Sequence, residues 1–393
     1  MKRKVLILCA ALVLLAGSGL FLLPRNQGPE GTSKSSDPIS AKEAGKITVS
    51  KSAAEKAVEA MSLKEQIGQM FLVCVTNSTV STEDIKRYHL GGYLFFADFF
   101  QVRDKETVSA DIASYQQAAS TPMFMAADEE GETVIRISKY PAFRNQPFAS
   151  PQQLYNQGGL DAVLAQEEEK SDLLLSLGIN VNLTPVCDMT DDKASFIYSR
   201  TLGQNAKTTA NYIASVVSLM NAKKIGSSLK HFPGYGGNSD THTGVARDAR
   251  PYKDFAEKDF LPFQAGIKAG APCVLVSHNI VESMDPEKPA SLSKPVHEIL
   301  RKELGFGGVI LTDDLIMEGV QGYSGEENIA VAAIQAGNDL LCTAGYKEQI
   351  PAVVEAVKAG KISKKQITES ALRVLKWKER LGLLPQDSPE NDE

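Results

Sequence analysis

Gly308-Val309-Ile310-Leu311-Thr312-Asp313-Asp314 sets an unbroken apolar run directly against two carboxylates. A strand with one face in water alternates apolar and polar residues. A continuous run such as Val309-Ile310-Leu311 belongs instead to a strand covered on both faces, as in parallel sheets flanked by helices. Other runs read the same way: Met70–Val75, Gly92–Phe96, Pro122–Ala127, Asn180–Val186, Ser227–Lys230, Cys273–Ser277 and Asp339–Cys342. The segments between them carry helical periodicity. Ala210, Ile213, Val217 and Met220 share one face, as do Ile367, Ala371, Val374 and Leu375. Repeated strand–helix units predict an α/β fold, a (β/α)8 TIM-like barrel forming a single catalytic domain, with an open doubly wound sheet as the alternative. Such barrels run to about 250 residues as one unit, so no residues remain for a second folded domain.

Outward from this core the composition changes. Lys2, Arg3 and Lys4 precede an uncharged, largely apolar run from Val5 to Leu23, and Arg25 follows it. A spanning helix needs about 20 residues and a secretory apolar region about 7–15. Residues 1–23 therefore read as a signal anchor or as a signal peptide, the latter cut after Ser18. Basic residues ahead of the run place the body outside the cytoplasmic membrane, anchored or secreted. Residues 24–52 are rich in Gly, Ser, Pro and Lys and read as a flexible linker. The barrel domain is expected over 53–384, and 385–393 form an acidic tail of disordered type. The chain carries a net charge of −6; the basic N-terminus holds four positive residues and no acid, so the rest carries −10. That acidity argues against a nucleic-acid partner. Cys74, Cys187, Cys273 and Cys342 lie in or beside strand-like runs and read as buried thiols, with a disulfide left open by an oxidising location.

In a barrel, chemistry sits where strands end and loops begin. After the third strand comes Asp128-Glu129-Glu130-Gly131-Glu132, with Arg136 beyond. Asp188 and Arg200 follow the fourth. The fifth leads into Lys230-His231-Phe232-Pro233-Gly234-Tyr235-Gly236-Gly237 and then Asp240-Thr241-His242. His278-Asn279 follow the sixth, and Asp313-Asp314 end the seventh. Alternate residues of an extended segment point to one side. Asp240 can then hold one nitrogen of His242 and leave the other for proton transfer. Equally, Asp240 can cap a turn beside an ordinary surface histidine. Asp313 can be a nucleophile, a metal ligand or a cap on the following helix. Lys230 and His231 can meet sugar hydroxyls or form a rim ion-pair network. No spacing of zinc-ligand type is present, so neither metal nor cofactor is expected.

Taken together, these stretches resemble glycoside hydrolase family 3, most closely its single-domain β-N-acetylhexosaminidase group, over about Ser62 to Leu383. The resemblance implies that Asp313 is the nucleophile and that His242, paired with Asp240, is the acid/base. It implies that Asp128, Arg136, Arg200, Lys230 and His231 bind substrate. The implied activity is retaining, exo-acting removal of terminal N-acetylglucosamine-type residues from carbohydrate, with cell-wall (peptidoglycan) fragments expected from family and location, by a monomer associated with the membrane through its apolar segment. A β-glucosidase or glycoside phosphorylase on the same scaffold, or a non-catalytic wall-binding protein, are the alternatives. Two departures stand out. Three residues, Gly237, Asn238 and Ser239, separate the Gly-x-Gly from the Asp-x-His where four are common, and Glu132 stands where a second glycine is usual.

Overall fold

In β1 (Phe71–Val75) successive side chains point to opposite sides. Phe71, Val73 and Val75 join the layer beneath the helices, whereas Leu72 and Cys74 join a separate cluster inside the barrel. That two-sided burial is why the run is apolar throughout. The other strands are β2 (Gly92–Phe95), β3 (Phe124–Ala127), β4 (Val181–Asn182), β5 (Gly226–Phe232), β6 (Cys273–Val276), β7 (Val309–Thr312) and β8 (Leu341–Thr343). This computed structural model describes residues 51–75, 81–242, 244–325 and 327–384. The apolar run Val5–Leu23, the linker up to residue 50 and the tail from Pro385 lie outside the described residues.

All eight strands run parallel, each beside the next, and β8 returns to pair with β1, Leu72 opposite Cys342. A bridge between Leu311 and Leu340 joins the remaining edges, with the Thr312 amide donating to the Leu340 carbonyl at 3.1 Å. This closure separates the fold from an open doubly wound sheet. The interior is packed with Leu72, Leu94, Phe124, Val181, Leu275 and Leu311. Trp377, from the last helix (Lys364–Arg380), seals the base against Phe124, their rings 4.4 Å apart. The first helix (Ala53–Ala60) starts at a capping box of Ser52 and Glu55 and lays Ala54 and Val58 against Ala371 and Leu375 of the last. Among the described residues no helix is long and apolar enough to cross a membrane.

Three features differ from the sequence expectation. The fourth strand is shorter than 180–186, because Pro185 lacks an amide for the ladder; only a bridge from Val186 to Lys230 follows it. A two-stranded parallel ribbon, Arg247–Asp248 with Ile280–Val281, was too short to show any period. On the helix Ala206–Lys223 the buried stripe runs through Tyr212 and Val216 beside Ile213, Val217 and Met220, while Ala210 is half-buried.

Candidate active site

A cavity of about 250 Å³ opens at the C-terminal ends of the strands. Its polar lining is Asp128, Glu130, Arg136, Arg200, Lys230 and His231 on one side and His242, Asp313 and Asp314 on the other; Leu94, Phe96, Leu183, Leu275 and Met317 supply apolar surface. All of the sequence-predicted site residues except Asp240 line it directly, and Asp240 is bonded to one that does.

The β3 loop is organised by two adjacent carboxylates with different tasks. Glu129 is fully buried and accepts the backbone amides of Arg136 and Ile137, both at 2.8 Å, and the Ser138 amide and hydroxyl. It folds the loop back and brings Arg136 to 3.6 Å from Asp128 and 5.1 Å from the Phe96 ring centre. Glu130 instead accepts a two-pronged bond from Arg200, at 2.9 and 2.8 Å, and lies 2.7 Å from the Lys230 amine. Lys230 also donates to Asp128 at 2.7 Å. Burial alone would drive the Asp128 and Glu130 carboxyls up. For Asp128 the charges of Lys230 and Arg136 reverse this, and for Glu130 those of Arg200 and Lys230, so both lie below the usual carboxylate range. Burial would likewise lower the Lys230 ammonium, but the two carboxylates hold it above its ordinary value.

Between Leu229 and Phe232 the β5–β6 register shifts, and this irregularity breaks the pairing of Lys230 and His231 with β6 where both side chains line the cavity. The Lys230–His231 and Phe232–Pro233 peptide bonds are cis. Asp188 is buried and accepts from the His231 amide at 3.0 Å, His231 Nδ1 at 2.7 Å and the Tyr235 amide at 2.8 Å. Arg200 can only donate, so at 3.1 Å it makes His231 Nε2 an acceptor and leaves the proton on Nδ1, facing Asp188. His231 is thus a fixed, fully bonded element of the rim.

His242 is built differently. The Asp240 carboxylate accepts both its backbone amide, at 3.0 Å, and its Nδ1, at 2.7 Å. Turn-capping and ring-holding, set out above as alternatives, are one arrangement: a local side-chain turn, not an extended segment, brings the pair together. Among the described residues none bonds to His242 Nε2, and the side chain is 61% exposed. Burial raises the Asp240 carboxyl, but the His242 amide, ring N–H and charge more than offset this and hold it below its ordinary value. Thr241, between them, is fully buried; its hydroxyl meets Tyr235 at 2.7 Å and its carbonyl accepts the Gly319 amide at 3.0 Å. A side chain at Gly319 would collide with that carbonyl, so glycine permits the β5 and β7 loops to touch. Underneath, Arg250 binds Asp248 and Asp259 and donates to the Gly234 carbonyl at 3.2 Å.

Asp313 leaves β7 with its amide donating to the Val276 carbonyl at 3.0 Å, and its Oδ1 accepts the Asp314 amide at 2.9 Å. His278, buried behind it, bonds the Ser291 hydroxyl at 2.7 Å and donates from Nε2 to the Asp314 carbonyl at 2.9 Å. Burial keeps His278 below the usual histidine range despite the nearby Asp313 charge. It acts as a neutral brace on the 313–314 turn. The Asp314 carboxyl is pushed up to about 6, chiefly by burial.

Glu129, Glu130, Asp188 and His278 are the functional neighbours that sequence reasoning left without roles. Their positions at strand ends were visible, but their partners come from other loops. Glu132 sits at φ +53°, a left-handed conformation natural to glycine, which accounts for the residue expected there.

The model of the Glycosyl hydrolase family 3 N terminal domain matches residues 62–377. A beta-hexosaminidase of Nitrosomonas eutropha is 29% identical over 286 residues, covering 70% of this chain and 80% of its own. One from Xylella fastidiosa strain M12 is 30% identical over 281 residues, covering 69% and 82%. A family 3 beta-N-acetylglucosaminidase structure from Paenibacillus sp. FPU-7 superposes with a TM-score of 0.76 at 27% identity, covering 82% of this chain; the chain spans 63% of that protein's length. With the family pattern met over most of its described length, this chain belongs to glycosyl hydrolase family 3.

Proposed function

We propose that the protein is an exo-acting, retaining β-N-acetylhexosaminidase, with Asp313 as nucleophile and His242 as acid/base. The observation that carries this reading is the Asp240–His242 pair. Asp240 holds one ring nitrogen of His242, the other has no bonding partner among the described residues, and the ring lines the same cavity as an aspartate at the end of β7. In the first step the Asp313 carboxylate forms a bond to the anomeric carbon as the bond to the leaving oxygen breaks, and His242 Nε2–H protonates that oxygen. In the second, His242 takes a proton from water, whose oxygen attacks the anomeric carbon and releases Asp313. Two inversions retain the configuration. Asp128, Arg136, Arg200 and Lys230 surround the sugar as hydrogen-bonding groups, with His231 as the fixed wall beside them, and Glu129, Glu130 and Asp188 set their positions.

The Paenibacillus neighbour, described as a beta-N-acetylglucosaminidase, supports N-acetylglucosamine as the sugar, and the beta-hexosaminidase relatives support a hexosamine. A panel of aryl β-glycosides, with and without phosphate, tests it. We expect hydrolysis of the aryl N-acetyl-β-glucosaminide with the β-anomer released first. A preference for the glucoside, a phosphate-dependent sugar phosphate product, or no turnover would each replace it with one of the alternatives set out above.

We further propose that the enzyme works as a monomer outside the cytoplasmic membrane on cell-wall fragments, delivered or held there by Val5–Leu23. The support is the basic flank before that run. Protease added to intact cells should abolish the activity; full protection would contradict an external location.

A further inference from the structure

At the floor of the catalytic cavity three ligand-type side chains meet that lie far apart in the chain. Cys74 Sγ is 3.4 Å from Cys342 Sγ and 3.4 Å from Asp314 Oδ2, and the three ligand atoms lie within 4.8 Å of one another. Cys342 and Asp314 line the cavity, while Cys74 lies behind them.

We propose that Cys74, Asp314 and Cys342 form a binding site for a thiophilic divalent cation such as Zn²⁺ or Cd²⁺, and that occupying it shuts off turnover. Tetrahedral zinc bonds of about 2.3 Å to sulfur and about 2.0 Å to oxygen place two sulfurs roughly 3.8 Å apart and sulfur and oxygen roughly 3.5 Å apart. The two separations made by Cys74 need to change by only a few tenths of an ångström, and Cys342 Sγ and Asp314 Oδ2, within 4.8 Å of each other, close on the ion from either side. Binding releases a proton from each thiol, giving two thiolates and a carboxylate around the ion.

A disulfide fits the same pair less well. In the parallel β1–β8 register Leu72, not Cys74, lies opposite Cys342. An offset of two residues along the strand and one strand across separates the Cα atoms by roughly 8 Å, beyond the reach of about 7 Å that a disulfide tolerates without backbone movement. An ion bridges that offset because it adds a bond to each sulfur. Its fourth position faces the cavity, where Asp313 or a water completes the shell. The nucleophile is then tied up, or the floor beneath the sugar is filled. The inhibitory half of the proposal rests on Asp313 as nucleophile; the binding half does not.

The test is a Cd²⁺ titration of the full, reduced protein. We expect a near-ultraviolet thiolate-to-metal charge-transfer band that saturates at one ion per chain. Hydrolysis of an aryl N-acetyl-β-glucosaminide should fall in parallel by at least about tenfold, the loss of one 1.4 kcal/mol step in transition-state stabilisation, and a chelator should restore it. Cys74→Ser should lose both the band and the inhibition while keeping metal-free activity. Cys187→Ser and Cys273→Ser should keep the band, as should His242→Ala. Absence of the band in the unaltered protein, which requires no variant to fold, overturns the site, as does a band that survives Cys74→Ser. A saturated band with undiminished turnover overturns the inhibition while leaving the catalytic assignment to be judged by its own test.

Discussion

Replacing Glu130 by Gln removes the one carboxylate that serves both Arg200 and Lys230. Its side chain is 3% exposed, that of Lys230 2% and that of Arg200 12%, so water does little to compensate. Lys230 keeps Asp128; Arg200 keeps His231 and at most one neutral amide oxygen in place of the charged two-pronged carboxylate. Breaking one partner of a buried ion pair costs about 3–5 kcal/mol, because a charge is left buried without its counterion. For the roughly 330 described residues the unfolding entropy is about 0.7 kcal/mol/K, so that loss lowers Tm by about 4–7 °C. Differential scanning calorimetry reads the shift, and steady-state kinetics should show KM rising as Arg200 loses its anchor. A Tm within about 1 °C of the parent, outside the range the same relation allows, would refute the view that Glu130 organises the sugar-facing cations.

His242→Ala should depress hydrolysis of substrates with poor leaving groups by about 10²–10⁴-fold and affect activated aryl leaving groups less; equal losses across the series would make His242 a binding residue. Glu132→Gly should relieve the left-handed backbone and stabilise the protein by up to about 1 kcal/mol in urea denaturation, and a loss of stability would contradict the strain. Asp128, Glu130 and Asp188 have carboxyls below their ordinary values, for Asp188 because His231 outweighs the effect of burial. The folded state therefore binds fewer protons than the unfolded chain. Their contribution is complete above the unfolded pKa values and is lost as pH falls through the folded ones, so Tm should drop progressively below about pH 4; a Tm flat to about pH 2 would contradict it.

The barrel was legible because two-sided burial leaves a mark that needs no partner to read: Val309-Ile310-Leu311 is apolar whatever lies opposite it. Strand four was partly legible, since Pro185 ends a ladder that the surrounding apolar residues suggest. Side-chain direction was not. Glu129 and Glu130 are the same residue type side by side, yet one binds amides of its own loop and the other cations from two other loops. The Asp240–His242 pairing was predicted for the wrong backbone reason, because a local turn and an extended segment both bring residues i and i+2 together. Cys74 and Cys342 are 268 positions apart and meet only because the barrel closes between β8 and β1.

The most direct test of the proposed chemistry is to trap the glycosyl-enzyme. A fluorinated N-acetylglucosaminyl analogue that esterifies the nucleophile faster than it hydrolyses should inactivate the protein and add a single sugar mass. Peptide mapping should place that sugar on Asp313, and Asp313→Ala should neither turn over nor label. A sugar on Asp314 or elsewhere, or continued turnover by Asp313→Ala, would contradict it.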